Sequence, residues 1–299
     1  MKKSTLPAVI LIFIDGIGIG ETDDNNPLLQ GSDDGWFTNL LNAGQVVGSS
    51  GGILRPTDPR LGIEGRPQSA SGQTAILTGI NAPQSLGYHK QGFPNAELRD
   101  IINEHSVFLQ LKRLGIGPNI FANTYTPRFF SEPPRWKSAT TCAVEAAGLQ
   151  FNRLPDLVGG KSLFHDFTNR FLVDSGYNVP LRSPSEAGRL LAEIASRHRF
   201  TLYEHFITDK IGHDRDMDLA LEHLPKLAEF VRVTIENVDL ESTTVILTSD
   251  HGNIEDLSVR NHTLNDVPTI IWGRMNREIA PTITDLTDIT PAILRLLTQ

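Results

Sequence analysis

The sequence predicts an α/β fold, a three-layer sandwich on a largely parallel central sheet. Three observations carry this. The runs Ala8–Ile14, Phe200–Thr208 and Thr243–Thr248 have the length and the β-branched or aromatic content of strands buried on both faces. Each run stops at an aspartate or just before one. Helix-like stretches with capping signals lie between them, and strands alternating with helices imply parallel strands covered on both sides. With 299 residues, 39% of them hydrophobic, the chain can bury one large core. A single domain over residues 1–299 is therefore expected.

Ala8–Ile14 follows two lysines, as the apolar part of a signal peptide does. It is short and ends at Asp15 instead of a small-residue cleavage site, so it is read as the first buried strand. Ser69–Gly79 begins small and polar and then turns helical. Ser106 can cap a helix Val107–Leu114 that Gly115 ends, and Asn119–Thr124 reads as a further strand. Ser183-Pro184-Ser185-Glu186 is a capping box with proline at the first helical position, opening a helix to about His198. Val267–Trp272 is another central strand, and Thr290-Pro291 can start a terminal helix through Leu297. Residues 126–178, with Pro133-Pro134, Gly159-Gly160 and several aromatics, fit the alternation poorly and are expected to form a small lid insertion.

A net charge of −8 with pI near 5.6 and no Lys/Arg-rich run argues against a protein that grips nucleic acid through its phosphates. No run reaches the roughly 18 apolar residues of a membrane span. The only cysteine, Cys142, excludes an internal disulfide and a thiolate zinc cluster, and fits a reducing, cytoplasmic setting. Any metal site must use nitrogen and oxygen ligands.

Such ligands occur in clusters. Asp15 follows the first strand, Asp209 and His213 follow the second, and adjacent Asp250 and His251 follow the third, with His262 returning from a polar loop. Carboxylate and imidazole without thiolate suit Mn²⁺, Zn²⁺ or other divalent ions. One Asp–His pair is commonly a cap or a surface ion pair; five such ligands after successive strands point to a metal centre, because strand carboxyl ends are where α/β sheets gather their sites. Ser69 opens a helix whose dipole favours a phosphoryl dianion, although a serine there can also be a plain helix cap. Gly16-Ile17-Gly18-Ile19-Gly20 lacks the spacing of a dinucleotide fingerprint. Arg66 and Arg260 stand beside these segments as candidate substrate contacts; His89 and Lys90 are weaker ones. His165-Asp166 reads as a helix cap, His205 as a core histidine, and His105, His198 and His223 as surface residues.

Together these segments resemble the alkaline phosphatase superfamily, and within it the metalloenzyme group of cofactor-independent phosphoglycerate mutase and phosphopentomutase. S-A-x-x-x-T-A-x-x-T-G at Ser69–Gly79 is similar to the alkaline phosphatase nucleophile segment, and S-x-x-G at Ser69–Gly72 also matches the mutase pattern. DHGN-x-E at Asp250–Glu255 is similar to phosphoglycerate mutase, and H-T-x-x-x-V-P at His262–Pro268 to phosphopentomutase. The resemblance covers roughly residues 8–80 and 200–297.

It implies an alkaline-phosphatase-like fold holding two divalent cations, Mn²⁺ or Zn²⁺. Asp15, Ser69, Asp250 and His251 would surround one, and Asp209, His213 and His262 the other, with Asn253 and Glu255 orienting ligands. Ser69 would attack a small phosphorylated substrate and become a phosphoserine. Three departures stand out. Gln68 replaces an aspartate of alkaline phosphatase, and Gln73 replaces a histidine of the mutases. Only 129 residues, positions 80 to 208, separate Gly79 from Asp209, too few for a mutase cap domain beside the core elements. A small lid excludes water poorly, which favours a phosphomonoesterase or phosphodiesterase over a phosphomutase. The C/S-x-P-x-R setting of a sulfatase is absent, and a non-catalytic metal-binding protein would have no need of Ser69. The sequence leaves oligomeric state open.

Overall fold

Strand β1 (Ala8–Ile14) sets the layering, because its alternating side chains feed two different cores. Ile10, Ile12 and Ile14 pack with Leu191 of helix Pro184–Ala195 and with Leu227 and Phe230 of helix Met217–Glu236. Val9, Leu11 and Phe13 pack on the other side with Ile76 of helix Ser69–Thr78, Phe108 of helix Val107–Arg113, Val144 of helix Ala139–Ala147 and Ile293 of helix Ile289–Leu297. A strand apolar at every position needs cover on both faces, and the helices supply it. This three-layer arrangement comes from a computed structural model that describes residues 6–30, 46–47 and 51–299.

The other strands are β2 (Val46–Val47), β3 (Gly52–Thr57), β4 (Asn119–Phe121), β5 (Phe200–His205), β6 (Thr243–Thr248) and β7 (Val267–Trp272). Among the described residues they form one seven-stranded sheet in the order β2-β3-β7-β6-β1-β5-β4. The central block β4-β5-β1-β6 is parallel, with Ile12 opposite Tyr203 on one side and Leu247 on the other. Beyond it β7 runs antiparallel to β6, and β3 antiparallel to β7.

Several boundaries differ from the sequence expectation. β5 ends at His205, and residues Ile207–Asp214 form a helix, so Asp209 lies in a helical first turn instead of at a strand end. β4 stops at Phe121, three residues early, and β3 had no recognised signal because Arg55-Pro56 interrupts its apolar run. The capping box at Ser183 is present, with Ser183 Oγ accepting from Glu186 N–H and Glu186 Oε2 accepting from Ser183 N–H. Within residues 126–178, helix Ala139–Ala147 joins the sheet-covering layer, while Pro127–Ser131, Leu154–Val158 and Arg170–Asp174 are single-turn helices nearer the surface.

Candidate metal centre

The parallel block aims three loops at one place. Asp15 leaves β1, Asp209 and His213 lie four apart on one face of the helix after β5, and Asp250 and His251 leave β6. The loops are bonded to one another: Asp15 N–H donates to His205 O (2.8 Å), Ile17 N–H to Ser249 Oγ (3.0 Å) and Ile254 N–H to Gly16 O (3.0 Å). Helix Ser69–Thr78 comes equally close. A Cβ at Gly72 would stand 2.8 Å from Asp250 O, so glycine is what lets the helix start reach this strand end.

Ser69 is the first residue of that helix, and its hydroxyl does not cap it. Its Oγ lies 3.0 Å from Nε2 of His251. The same Nε2 is 3.2 Å from Asp15 Oδ1 and 3.5 Å from Asp250 Oδ2. A second group forms beside it, with His262 Nε2 3.6 Å from Asp209 Oδ1, His213 Nε2 3.4 Å from Asp209 Oδ2, and 3.2 Å between the two Nε2 atoms. Asp15, Asp250 and His251 have ligand atoms within 4.8 Å of one another, and so do Asp209, His251 and His262. All six side chains and Ser69 are thus brought together. The division is less sharp than the resemblance implied, because His251 adjoins both groups and its ring stacks on that of His262 at 3.5 Å.

Each ring is oriented from behind. His262 Nδ1 faces Pro67 O (2.8 Å) and His213 Nδ1 faces Arg260 O (2.9 Å), which leaves both Nε2 atoms toward the centre. Such backing fixes tautomer and direction in metal-binding histidines. Asn253 Nδ2 donates to Asp209, and Glu255 Oε2 accepts from the backbone N–H of Gly18 and Asn253, both at 2.8 Å.

The electrostatics call for a cation. Burial raises the Asp15 and Asp250 carboxyls above the usual range, and the neighbouring aspartates add to it. Burial opposes the His251 imidazolium as well, yet Asp250 and Asp15 outweigh it and raise His251 to about 10. Among the described residues no lysine or arginine pairs with Asp15, Asp209 or Asp250. Oδ1 of Asp250 is buried without a hydrogen-bond donor. Buried carboxylates in this state are paired or coordinate metal, and a donor set of carboxylate and imidazole fits divalent ions.

Arg66 and Arg260 take other positions. Arg66 donates from Nη1 to His262 O (2.6 Å), and Arg260 meets the centre through its backbone carbonyl. His89 faces Ile63 O and Lys90 donates to Gln91 O. Asp166 accepts from the N–H groups of Asn169 and Phe171, as a cap would, whereas His165 does not cap and instead lines the cleft beside Ser69. His223 is not a surface residue: its Nε2 lies 2.9 Å from Nε2 of His205, and burial lowers it to about 4.

Sequence reasoning missed two features. Gln73, noted only as a departure, donates from Nε2 to Asp15 Oδ2 (3.1 Å) and to Asp250 Oδ2 (3.2 Å). Its place four residues after Ser69, on the same helix face, was the available signal. The other is a cleft of about 530 Å³ with Ser69, Asp15 and Asp209 in its wall, lined further by Phe121, Tyr125, Phe129, Phe164 and the buried Glu204.

The architecture is alkaline-phosphatase-like. It superimposes on a cold-active alkaline phosphatase from the psychrophile Shewanella sp. with a TM-score of 0.54 at 12% identity, covering 98% of this chain and 100% of that one. A protein of known structure from Pyrococcus horikoshii gives 0.56 at 15% identity, covering 98% of each chain. Residues 158–299 match the family model of the Metalloenzyme superfamily, so the resemblance read from the motifs holds. A 2,3-bisphosphoglycerate-independent phosphoglycerate mutase of Methanopyrus kandleri is 33% identical over 179 residues, 58% of this chain and 39% of that protein. The chain spans about two fifths of the length of the curated relatives it matches over the longest stretches. No helix among the described residues is long and apolar enough to cross a membrane.

Proposed function

We propose that this chain is a two-metal phosphoryl-transfer enzyme, a phosphomonoesterase or phosphodiesterase working through a phosphoserine at Ser69. The observation that carries the reading is the 3.0 Å separation of Ser69 Oγ from His251 Nε2, at the junction of the two ligand groups and open to the cleft. Asp15, Asp250 and His251 would hold one ion with Ser69, and Asp209, His213 and His262 the other. Mn²⁺ and Zn²⁺ both suit these donors. Bound there, the cations would lower the pKa of the serine hydroxyl and stabilise the entering and leaving oxygens.

The chain's own groups do the rest. Ser69 sits at the positive end of its helix, where a phosphoryl dianion is favoured. Ser69 Oγ attacks phosphorus, the ester P–O bond breaks, and the alcohol departs into the cleft with a proton. Water then cleaves the phosphoserine, releasing phosphate and restoring the hydroxyl. Asn253 holds Asp209 in place, and Gln73 spans the Asp15 and Asp250 carboxylates, which would otherwise repel.

Hydrolysis is favoured over transfer by the openness of the site. Phe206 and Phe93 at the cleft are 41% and 49% exposed, so water reaches it. The relatives named as phosphoglycerate mutases favour a second reading, a phosphomutase acting on a small phosphorylated substrate. Elemental analysis paired with phosphate release from a panel of monoesters and diesters, with and without Mn²⁺ or Zn²⁺, separates the two. Two metals per chain with released phosphate supports the hydrolase; two metals with organic phosphate conserved supports the mutase. No bound metal under any condition removes both.

A further inference from the structure

The cleft beside Ser69 tells what kind of alcohol leaves the phosphate. We infer that the substrate is a phosphoester of an apolar alcohol, aryl or alkyl, and not of a polyol or hydroxy acid; the inference rests on the phosphatase reading above.

The wall is built from ring faces. Tyr125 and Phe129 lie 4.5 Å apart between ring centroids, and Phe121 meets Tyr125 edge-on at 6.1 Å. The volume of about 530 Å³ is within the range of small-molecule sites and exceeds what a three-carbon ester needs.

Two polar groups of the aromatic wall are already occupied, while His165 Nδ1 in the lining is buried without a partner. The Tyr125 hydroxyl pairs with Thr141 Oγ1 (2.9 Å), which also pairs with Ser138 Oγ (2.9 Å). Asn123 spends its amide on the backbone of Glu204, donating to the carbonyl (2.7 Å) and accepting from the N–H (3.0 Å). A polyol set against these ring faces would lose water there without gaining partners from Tyr125 or Asn123, and unpaired polar groups are costly to bury.

Charge points the same way. The side chain of Glu204 lines the cleft, and Lys210, exposed at its edge, is the one lysine or arginine in the lining. Away from the metal centre, the carboxylate of a phosphoglycerate would therefore meet Glu204 and no buried lysine or arginine in the lining. An apolar alcohol meets neither penalty and gains the aromatic faces.

The test compares 3-phenylpropyl phosphate with glycerol 1-phosphate and 3-phosphoglycerate on the metal-loaded protein. All are esters of alkyl alcohols, so leaving-group chemistry is similar and the cleft decides. We expect kcat/KM for the phenylpropyl ester to exceed the others by at least roughly tenfold, the scale on which apolar pockets discriminate. Phe129→Ala should shrink that ratio several-fold, and Phe206→Ser, at an exposed position, provides a variant that does not depend on core packing. In parallel, binding of 1-naphthol is followed by its own fluorescence, which needs no turnover. Naphthol binding weakened by either substitution, together with the phenylpropyl preference, supports the inference. Equal or better turnover of glycerol 1-phosphate or 3-phosphoglycerate, with no naphthol binding, overturns it and leaves the phosphatase standing. Naphthol binding without hydrolysis of any ester overturns the phosphatase and supports the apolar subsite alone.

Discussion

Asn253 grips Asp209 twice: its Nδ2 donates to Asp209 Oδ1 at 2.7 Å and to the Asp209 carbonyl oxygen at 3.1 Å. One residue thus fixes both the helix turn that carries the carboxylate and the direction of the carboxylate itself. Backing residues of this kind typically contribute 10–100-fold to metal affinity. Asn253→Ala should weaken metal binding by about that factor in a calorimetric titration, with secondary structure retained. Unchanged affinity would remove Asn253 from the support of the centre.

Ser69→Ala tests the nucleophile separately from the centre. The serine is one donor among seven residues, and its hydroxyl has no capping role to lose. Metal content should stay near that of the parent while ester hydrolysis disappears. Acid-quenched parent enzyme should carry labelled phosphate on the peptide containing Ser69, and the variant should carry none. Full activity in the variant would exclude Ser69 from the mechanism.

Much of this arrangement was legible because its signals are local. An apolar run closed by aspartate marked β1 to the residue, and β6 likewise, since strands covered on both faces read as unbroken hydrophobic stretches. The ligands followed from those strand ends. Strand direction did not follow: β7 has the same apolar character as β1, yet it runs antiparallel, and periodicity carries no sign of direction. Gln73 carried only its helical spacing from Ser69 as a signal and Glu204 carried none, because their roles come from convergence. One becomes a bridge only when two strand ends meet a helix start, and the other is a carboxyl inside a strand, facing aromatics from residues 121–164.

Gly72→Ala probes the closeness of that convergence. The new methyl would stand 2.8 Å from a backbone oxygen of Asp250, which no side-chain rotation relieves. Helix Ser69–Thr78 must then move away from β6. Overpacking of this kind costs about 1–3 kcal/mol, and the shift carries Ser69 away from His251. Thermal unfolding and activity should both fall, with activity the more severely affected. Parent-like activity would mean the two elements separate easily.

Glu204 makes an unusual pH prediction. Burial raises its carboxyl from the ordinary 4.5 to about 7, and the nearby Asp15 charge adds to the effect. Between those values the folded chain holds a proton that the unfolded chain has released, so stability falls as pH rises through the window. The penalty is complete above about pH 7 and absent below about 4.5. Glu204→Gln removes it. In metal-free protein the variant should be the more stable at pH 8, by on the order of 3 kcal/mol, and the two melting curves should converge near pH 5. A constant difference across that range would show that Glu204 ionises normally.

Metal removal should expose the cost of leaving Asp15, Asp209 and Asp250 without a metal ion. A ligand at 100 times its dissociation constant stabilises a fold by about 2.7 kcal/mol, which for a chain of this size is roughly 4 °C in Tm per site. EDTA should therefore lower Tm by that order and abolish activity, and Mn²⁺ or Zn²⁺ should restore both. Asp250→Asn makes the test specific. Oδ1 of Asp250 is buried and has no hydrogen-bond donor, so neutralising the residue relieves the metal-free protein while removing a ligand. The variant should melt at or above the parent when both are metal-free, and below it when both are given metal. A crossing of this kind requires that the carboxylate destabilises the empty fold and binds in the loaded one. If Asp250→Asn were instead less stable in both states by the same amount, the carboxylate would be a structural group and the two-metal reading would lose its strongest support.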